Sequence, residues 1–370
     1  MIRTLIATLL LLTAASCAMG GSMKGKKLIE YGWDVPTTEY VRTHLAEMEK
    51  IPFDGIVIYV APKPGHTENG TTLSWRPFSR VKFKPEEYQH AIADLKASKS
   101  KRFTDNFIAL IAQPVEVDWF EDDWSSIAFN AGCLAKVAKQ GGCKGIMFDA
   151  EHYNAHMWSY IEYAKAHPAR TFEEVSAKVK ERGAEFMRAM DAEYPGITIL
   201  TLFGPSLPYL QATTGDFKNA DYGLMMAFYD GMIEAASPKT TIIDGFEFSY
   251  GYRTPELFDE GRKTVMEKAR ALSTNKQEYD KHIRMGYGIW ADNGGADVGW
   301  HPDDFTKNYY SPEGLRNSLA YALERSDGYV WVYSERLRWW ANNNAPQAYI
   351  DALALAKKGP APGNPESLRR

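Results

Sequence analysis

The residues best placed to do chemistry are two acids two positions apart, Asp149 and Glu151. Asp149 comes directly after an apolar run over residues 145–148, and Glu151 lies two positions further along. At the two-residue repeat of a β-strand, their side chains share one face. Two carboxyl groups this close do not ionise independently, so the pKa of one should rise, as a general acid requires. The pattern therefore predicts acid–base chemistry, with Asp149 and Glu151 as candidate catalytic residues.

A second pair of candidate catalytic acids, Asp244 and Glu247, lies in and after the apolar run 240–246. Gly245 between them permits a close backbone approach or an irregular turn. The candidates for substrate binding share a position at or just beyond the end of a predicted strand. They are Tyr31, Trp33, Asp34, His152, Asn154, Tyr250, Trp290, Asp292, Tyr333 and Glu335, of which Tyr31 and Tyr333 could also bond the catalytic acids and Glu335 could instead pair with Arg336.

A metal ion is the alternative that the histidines raise. His152 and His156 are four residues apart, a spacing that suits metal ligands on one helical turn. The sequence places no third histidine near them, and no GxSxG motif indicates a serine nucleophile. We therefore expect carboxylate chemistry that needs neither a metal nor another cofactor.

Eight apolar runs, each followed by a stretch with helical periodicity, must position these residues. The runs cover residues 28–33, 55–60, 106–111, 145–149, 197–203, 240–246, 283–290 and 328–333. Residues 40–50, 172–193 and 313–325 are predicted helices, and Thr171 with Glu174 forms a capping box. The window 222–236 is apolar enough for a strand, but Asp230-Gly231 interrupts it, and we predict the fifth helix there. This alternation predicts an α/β fold, a single (β/α)8 barrel over residues 23–358, and no GxGxxG motif indicates a dinucleotide-binding fold.

The connections after predicted strands two, three, four, seven and eight are long, and in a barrel they share the C-terminal face, where active sites lie. Most of the ten tryptophans fall at strand ends or in these loops: Trp33, Trp75, Trp119, Trp124, Trp158, Trp290, Trp300, Trp339 and Trp340. We interpret them as the lining of a wide cleft, because flat amphipathic rings suit sugar faces. Peptides and apolar ligands would use the same rings.

Composition limits the partners. The chain is 45% hydrophobic and carries a net charge of −4, which describes a globular protein without the basic surface that nucleic acids or anionic membranes require. We expect a carbohydrate partner and a monomer. Cys133 and Cys143 are predicted to be buried free thiols, although a disulfide is the alternative.

Both termini differ from the globular region. In residues 1–22, Arg3 precedes an apolar run that ends in small residues before Cys17, which predicts a signal peptide and export to the periplasm, the outer membrane or the medium. The run Ala14-Ala15-Ser16-Cys17 resembles a lipoprotein signal, so lipidation of Cys17 stays open. Residues 359–370 are rich in proline and glycine and predict a disordered tail.

The run ending Asp149-Ala150-Glu151 resembles the strand-four signature of TIM-barrel glycoside hydrolases. Its Asp-x-Glu is similar to that of the family 18 chitinases, which implies Glu151 as the acid and Asp149 as the group that assists an acetamido substituent; Met147 replaces the earlier Asp of that signature. A strand-four Asp with a strand-six acid also resembles the retaining glycosidases related to α-galactosidase, which implies Asp149 as the nucleophile.

These patterns favour a secreted glycoside hydrolase acting on a poly- or oligosaccharide through paired carboxylates. Two alternatives stay open. One is a metal-dependent sugar isomerase or hydrolase whose ion is held by Glu151, His152 and Asp244. The other is a carbohydrate-binding lipoprotein without catalysis.

Overall fold

The structure is a computed structural model that describes residues 23–362, except 67, 115–117, 122, 154, 213, 295–297 and 341–343. The predicted signal segment, Asn154 and residues 363–370 of the predicted tail therefore lie outside the described residues. The start of that tail is held against a helix, because Arg316 donates hydrogen bonds to the carbonyl groups of Gly359 and Pro360.

The described residues form nine parallel strands in one sheet that closes on itself, so the predicted barrel is confirmed. Each strand is short and almost wholly buried, as expected for a parallel sheet covered by helices. The strands are β1 (Lys27–Gly32), β2 (Gly55–Ile58), β3 (Phe107–Ile111), β4 (Gly145–Asp149), β5 (Thr198–Thr201), β6 (Thr241–Asp244), β7 (Ile283–Met285), β8 (Tyr287–Trp290) and β9 (Tyr329–Ser334).

The ninth strand arises because the predicted run 283–290 is divided at Gly286. The first half, β7, pairs with β6, and the second half, β8, pairs with β9. At Gly286 a Cβ atom would lie 2.8 Å from the Ile243 side chain, so only glycine fits without displacement. The divided run thus serves as the eighth strand and closes the barrel formed with the other seven.

Helices cover the outside of the barrel. The window 222–236 is a helix, as predicted, and the predicted capping box at Thr171 and Glu174 begins the longest helix. The helices are α1 (Thr38–Met48), α2 (Gln89–Ala97), α3 (Trp124–Gly141), α4 (Tyr160–Ala166), α5 (Phe172–Glu193), α6 (Ser206–Gln211), α7 (Met225–Ala235), α8 (Pro255–Lys263), α9 (Arg270–Leu272), α10 (Lys276–His282), α11 (Pro312–Arg325) and α12 (Gln347–Ala356). Within the described residues, no helix is long and apolar enough to cross a membrane.

The core has two layers, one inside the barrel and one between the barrel and the helices. Alternate strand residues such as Ile29, Met147 and Ile243 fill the inside, and their neighbours face the helices. Cys133 and Cys143 belong to the outer layer and are buried free thiols, as predicted.

The outer layer also holds four tryptophans that we interpreted as a cleft lining: Trp119, Trp124, Trp158 and Trp339. That interpretation is wrong for these four, which are almost fully buried. Trp119 stacks on Trp124 with ring centroids 4.8 Å apart, and Trp158 donates a hydrogen bond to the Ala150 carbonyl. Their loops fold back onto the helices, so a position in a loop did not mean exposure.

Candidate active site

Asp149 and Glu151 lie at the C-terminal end of β4, where the barrel opens. Met147 points into the barrel, and the two-residue repeat gives Asp149 the same direction. Asp149 is fully buried: one carboxylate oxygen accepts the Glu151 backbone N–H at 3.0 Å, and the other accepts the Tyr153 hydroxyl at 2.7 Å. Glu151 itself is partly exposed to the mouth of the barrel.

The electrostatics of Asp149 follow from that burial. Burial raises the pKa of Asp149, the hydrogen bond from Tyr153 lowers it and the neighbouring charge of Glu151 raises it, which together leave the pKa at about 7. The group can therefore change its protonation state near neutral pH, as acid–base chemistry requires.

Asp244 faces away from the mouth, contrary to the prediction that it is a catalytic acid. Ile243 points into the barrel, so its neighbour Asp244 points outward. Its carboxylate accepts the backbone N–H and the hydroxyl of Ser206, both at 2.9 Å, and the Phe246 backbone N–H at 3.1 Å. Asp244 thus holds the loop after β5 to the end of β6, and it is not placed to join Glu151 and His152 around a metal ion.

Glu247 enters the mouth through an irregular turn after β6. Phe246 has φ 42°, a left-handed conformation that is unusual for a residue with a side chain. Gly245 permits the close approach that its sequence context predicted, since a Cβ atom there would lie 2.1 Å from the Thr201 carbonyl oxygen. The turn presents Glu247 to the two acids of β4.

The electrostatics of Glu247 connect it with the two acids at the end of β4. Burial raises its pKa well above the ordinary value, and the charges of Asp149 and Glu151 raise it further, while a hydrogen bond with the Tyr250 side chain opposes them. The three carboxyl groups are therefore near enough to influence one another at the mouth.

Aromatic rings form the wall beside these acids. Tyr250 stacks on Tyr333 with centroids 5.3 Å apart, and Trp290 meets both rings edge-on at 5.7 and 5.6 Å. The ring of Tyr31 lies 5.8 Å from that of Trp331 inside the barrel, and burial, together with the nearby Tyr59 and Asp149, raises the pKa of Tyr31. The predicted tyrosines and Trp290 are thus brought together.

The rim of the mouth is formed by Trp33 and Glu335. Trp33 is 60% exposed, more than any other tryptophan of the chain. Its indole N–H donates to the Tyr333 hydroxyl at 2.9 Å, and that hydroxyl donates to Glu335 at 3.2 Å. An exposed ring beside a carboxylate is suited to contact with a polar ring-shaped ligand.

Two predicted substrate ligands, Asp34 and Asp292, are occupied by backbone amides instead. Asp34 accepts the Trp339 N–H at 2.8 Å, and Asp292 accepts the N–H groups of Arg336 and Leu337 at 2.5 and 2.7 Å. Both carboxylates are buried. They hold the loop after β9 in place and are not free to bind a substrate.

His152 lies beside Glu151 but turns away from the aromatic wall. Its backbone N–H donates to the Tyr222 hydroxyl at 3.0 Å, and its ring lies 4.0 Å from the Tyr222 ring and 4.6 Å from that of His156. Asn154, which we predicted to bind substrate, lies outside the described residues.

Two residues of the mouth, Tyr153 and Tyr59, were not predicted as part of the site. Tyr153 binds Asp149 as described, and it packs edge-on at 5.2 Å against Trp75, which was predicted as part of the cleft lining. Tyr59 is a neighbour of Trp75, with ring centroids 6.4 Å apart. The two-residue repeat could have found Tyr59, because Val57 points into the barrel. Tyr153 lies in a loop without a repeat, so the sequence contains no comparable signal for it.

Comparison with known proteins yields structural matches alone: no protein-family model and no curated protein matches the chain. The solved structures similar to it include a broad-specificity GH5-4 endoglucanase from Bacteroides salanitronis, with TM-score 0.50, 10% identity, and 92% of this chain and 94% of that chain covered. A GH18 chitinase from Pseudoalteromonas aurantia has TM-score 0.44 and 12% identity over 89% of this chain and 99% of that one. A sugar phosphate isomerase/epimerase from Parabacteroides distasonis has TM-score 0.40 and 11% identity over 88% and 96%. At such identities a likeness shows the fold, and this chain is accordingly a TIM barrel, the fold of that endoglucanase.

Proposed function

We propose that the protein is an exported glycoside hydrolase that cleaves a poly- or oligosaccharide with carboxyl groups at the mouth of its barrel. The observation that carries the proposal is the interaction between the charges of Asp149, Glu151 and Glu247, which lie at or just after the ends of β4 and β6 on either side of β5. Glycosidic bonds are commonly cleaved by such a pair, in which one group protonates the leaving oxygen and the other acts as base or nucleophile.

The environments of the acids suggest their roles. Glu247 is the proton donor, because burial and the charges of the neighbouring acids raise its pKa and so favour its protonated form. Glu151 is the partner carboxylate, since it is the more accessible acid of β4. Asp149 is fully buried, and its hydrogen bond to the Glu151 backbone makes it a positioning group.

The aromatic wall supports a sugar as the substrate. Tyr333, Trp290 and the exposed Trp33 offer flat faces to the C–H side of a pyranose ring, and Glu335 and the tyrosine hydroxyls offer hydrogen-bond partners to its hydroxyl groups. Similarity to endoglucanase and chitinase structures agrees with this substrate class at the level of the fold.

The test is a pair of substitutions that keep side-chain volume and remove the acid, Glu151→Gln and Glu247→Gln. We expect each to lower kcat/KM on a hydrolysed glycan by about 10²–10⁴-fold, the usual contribution of acid–base catalysis. For Glu151→Gln the unfolding free energy should change by no more than about 1 kcal/mol, because this partly exposed side chain keeps its volume. Steady-state kinetics on a panel of polysaccharides and aryl glycosides, with thermal unfolding in parallel, measures both quantities.

Glu335→Gln is the matched comparison, because Glu335 lies on the rim and contacts Tyr333. It should raise KM and leave kcat nearly unchanged, as expected for a residue that only binds substrate. If Glu151→Gln kept more than roughly a tenth of the wild-type kcat/KM, the catalytic role assigned to Glu151 at the end of β4 would be wrong. Sugar binding without turnover by the wild-type protein would instead favour the non-catalytic carbohydrate-binding protein.

A further inference from the structure

Two histidines and one aspartate meet beside the mouth, outside the carboxylate group described above. His152 and His156 follow β4, and Asp221 precedes α7 in the chain. One potential ligand atom from each of the three lies within 4.8 Å of the other two. The His156 Nδ1 atom is 3.0 Å from one Asp221 carboxylate oxygen, and the His152 Nε2 atom is 3.7 Å from the other.

These spacings match the edges of a metal coordination shell. Zn²⁺ binds histidine nitrogen and carboxylate oxygen at about 2.0–2.2 Å, which places neighbouring ligands of a tetrahedral site roughly 3.3–3.4 Å apart. The separations of 3.0 and 3.7 Å involve the two different carboxylate oxygens of Asp221, and with one ligand atom from each residue the three atoms lie within 4.8 Å of one another. The exposed His156 and Asp221 side chains would have to move inward to close the shell around an ion.

The ring of His152 provides a second argument. Its Nδ1 atom faces the Ala155 carbonyl oxygen at 3.2 Å, and its Nε2 atom faces the Asp221 carbonyl oxygen at 3.4 Å. A neutral imidazole has one N–H, so one of its nitrogens is left with a lone pair directed at oxygen. If Nδ1–H donates to Ala155, Nε2 is oriented as a ligand, the usual way in which an outer contact fixes a metal-binding histidine.

We propose that His152, His156 and Asp221 bind one divalent transition-metal ion, for which Zn²⁺ is the best match. Two imidazoles and one carboxylate suit Zn²⁺, which is held in open sites by three protein ligands and keeps a further position for water or a substrate oxygen. Asp221 was not predicted as a ligand from the sequence, because it is 65 residues from His156 in the chain. The loop before α7 brings Asp221 next to the two histidines.

The site is next to the mouth but does not depend on the proposed hydrolysis. His152 adjoins Glu151 in the chain, so a bound ion would lie at the edge of the substrate path. Its binding can be measured without any substrate. Failure of the metal site and failure of the glycosidase proposal are therefore separate results.

The experiment uses the untagged protein, treated with EDTA and then freed of it, and titrated with ZnCl₂ in a calorimeter. We expect one Zn²⁺ per chain. His156→Ala and Asp221→Asn should each weaken binding by at least about tenfold, because each removes one of three ligands. Both residues are exposed, so these variants should keep the fold, which circular dichroism checks. X-ray absorption at the zinc edge should show imidazole and oxygen ligands at about 2.0–2.1 Å.

His167→Ala is the matched control. His167 also pairs with an aspartate, its Nε2 atom lying 3.5 Å from the Asp118 carboxylate, but the described residues place no second histidine in that pair. The control should leave zinc binding unchanged. Absence of saturable binding to the wild-type protein, or equal affinity in the wild type and the two ligand variants, would overturn the proposal.

Discussion

At the scale of single residues, the chemistry of the site depends on how Asp149 is held. The carboxylate is fully buried and yet accepts hydrogen bonds from the Tyr153 hydroxyl and the Glu151 backbone. Burial favours the neutral form, and the hydrogen bonds favour the ionised form. The balance leaves the pKa of Asp149 at about 7, so small changes in its surroundings should appear in the pH dependence of the reaction.

Tyr153→Phe tests this balance. The substitution removes the hydrogen bond that lowers the pKa of Asp149, so that pKa should rise. If turnover needs the ionised form, the acidic limb of the kcat/KM profile should move to higher pH, by up to roughly one unit. Kinetics at constant ionic strength between pH 5 and 9 would measure the shift.

Tyr163→Phe is the control for that prediction, because Tyr163 donates a similar hydrogen bond to Asp118 at 2.8 Å outside the carboxylate group. Tyr163→Phe should leave the pH profile of kcat/KM unchanged. A profile of Tyr153→Phe that coincides with the wild type would show that Asp149 does not control the acidic limb.

At the scale of elements, buried acids join the strands to the loops around the mouth. Asp34 and Asp292 hold the loop after β9 through its backbone N–H groups. Glu30, on the outward face of β1, lies against Asp34 and is fully buried. Burial raises the pKa of Glu30 well above its ordinary value, and the charge of Asp34 raises it further, so the protonated form of Glu30 is favoured.

Glu30→Gln should therefore stabilise the protein increasingly as the pH rises. A carboxyl group whose pKa is raised on folding contributes stability that is complete below its unfolded pKa and is lost as the pH rises toward its folded pKa. Glutamine keeps a neutral group at this position at every pH. Above the unfolded pKa of about 4.3, the variant should gain on the wild type by roughly 1 kcal/mol per pH unit until the folded pKa of Glu30 is reached.

Urea denaturation at several pH values measures this difference. Glu86→Gln, at an exposed position, is the control and should give a curve parallel to that of the wild type. A constant offset between Glu30→Gln and the wild type across the whole range would contradict a protonated Glu30.

At the scale of the whole molecule, the barrel begins at Lys27, and nothing in residues 1–22 continues the alternation of strands and helices. We propose that this segment directs export and is removed. Mass spectrometry of protein exported by a bacterial host should show a new N-terminus at or before Cys17, with added acyl mass if Cys17 is lipidated. An intact Met1 on exported protein would contradict the proposal.

The sequence by itself determined the elements and their order. Buried parallel strands are apolar throughout and crossover helices repeat every 3.6 residues, so both signals are local and readable. The runs predicted for strands coincide with the barrel to within a few residues, and the helix at 222–236 is present. Asp149, Glu151 and Glu247 were placed together because strands of a barrel all end at one face.

Only the tertiary structure decided which acids and aromatic residues the mouth contains. Asp34, Asp244 and Asp292 occur at strand ends like the catalytic candidates, but each is bound to backbone N–H groups of a loop that is distant in sequence. Loop tryptophans such as Trp119 and Trp158 were judged by position, and the packing of the loops buried them. These outcomes depend on the path of irregular loops, which no repeat in the sequence encodes.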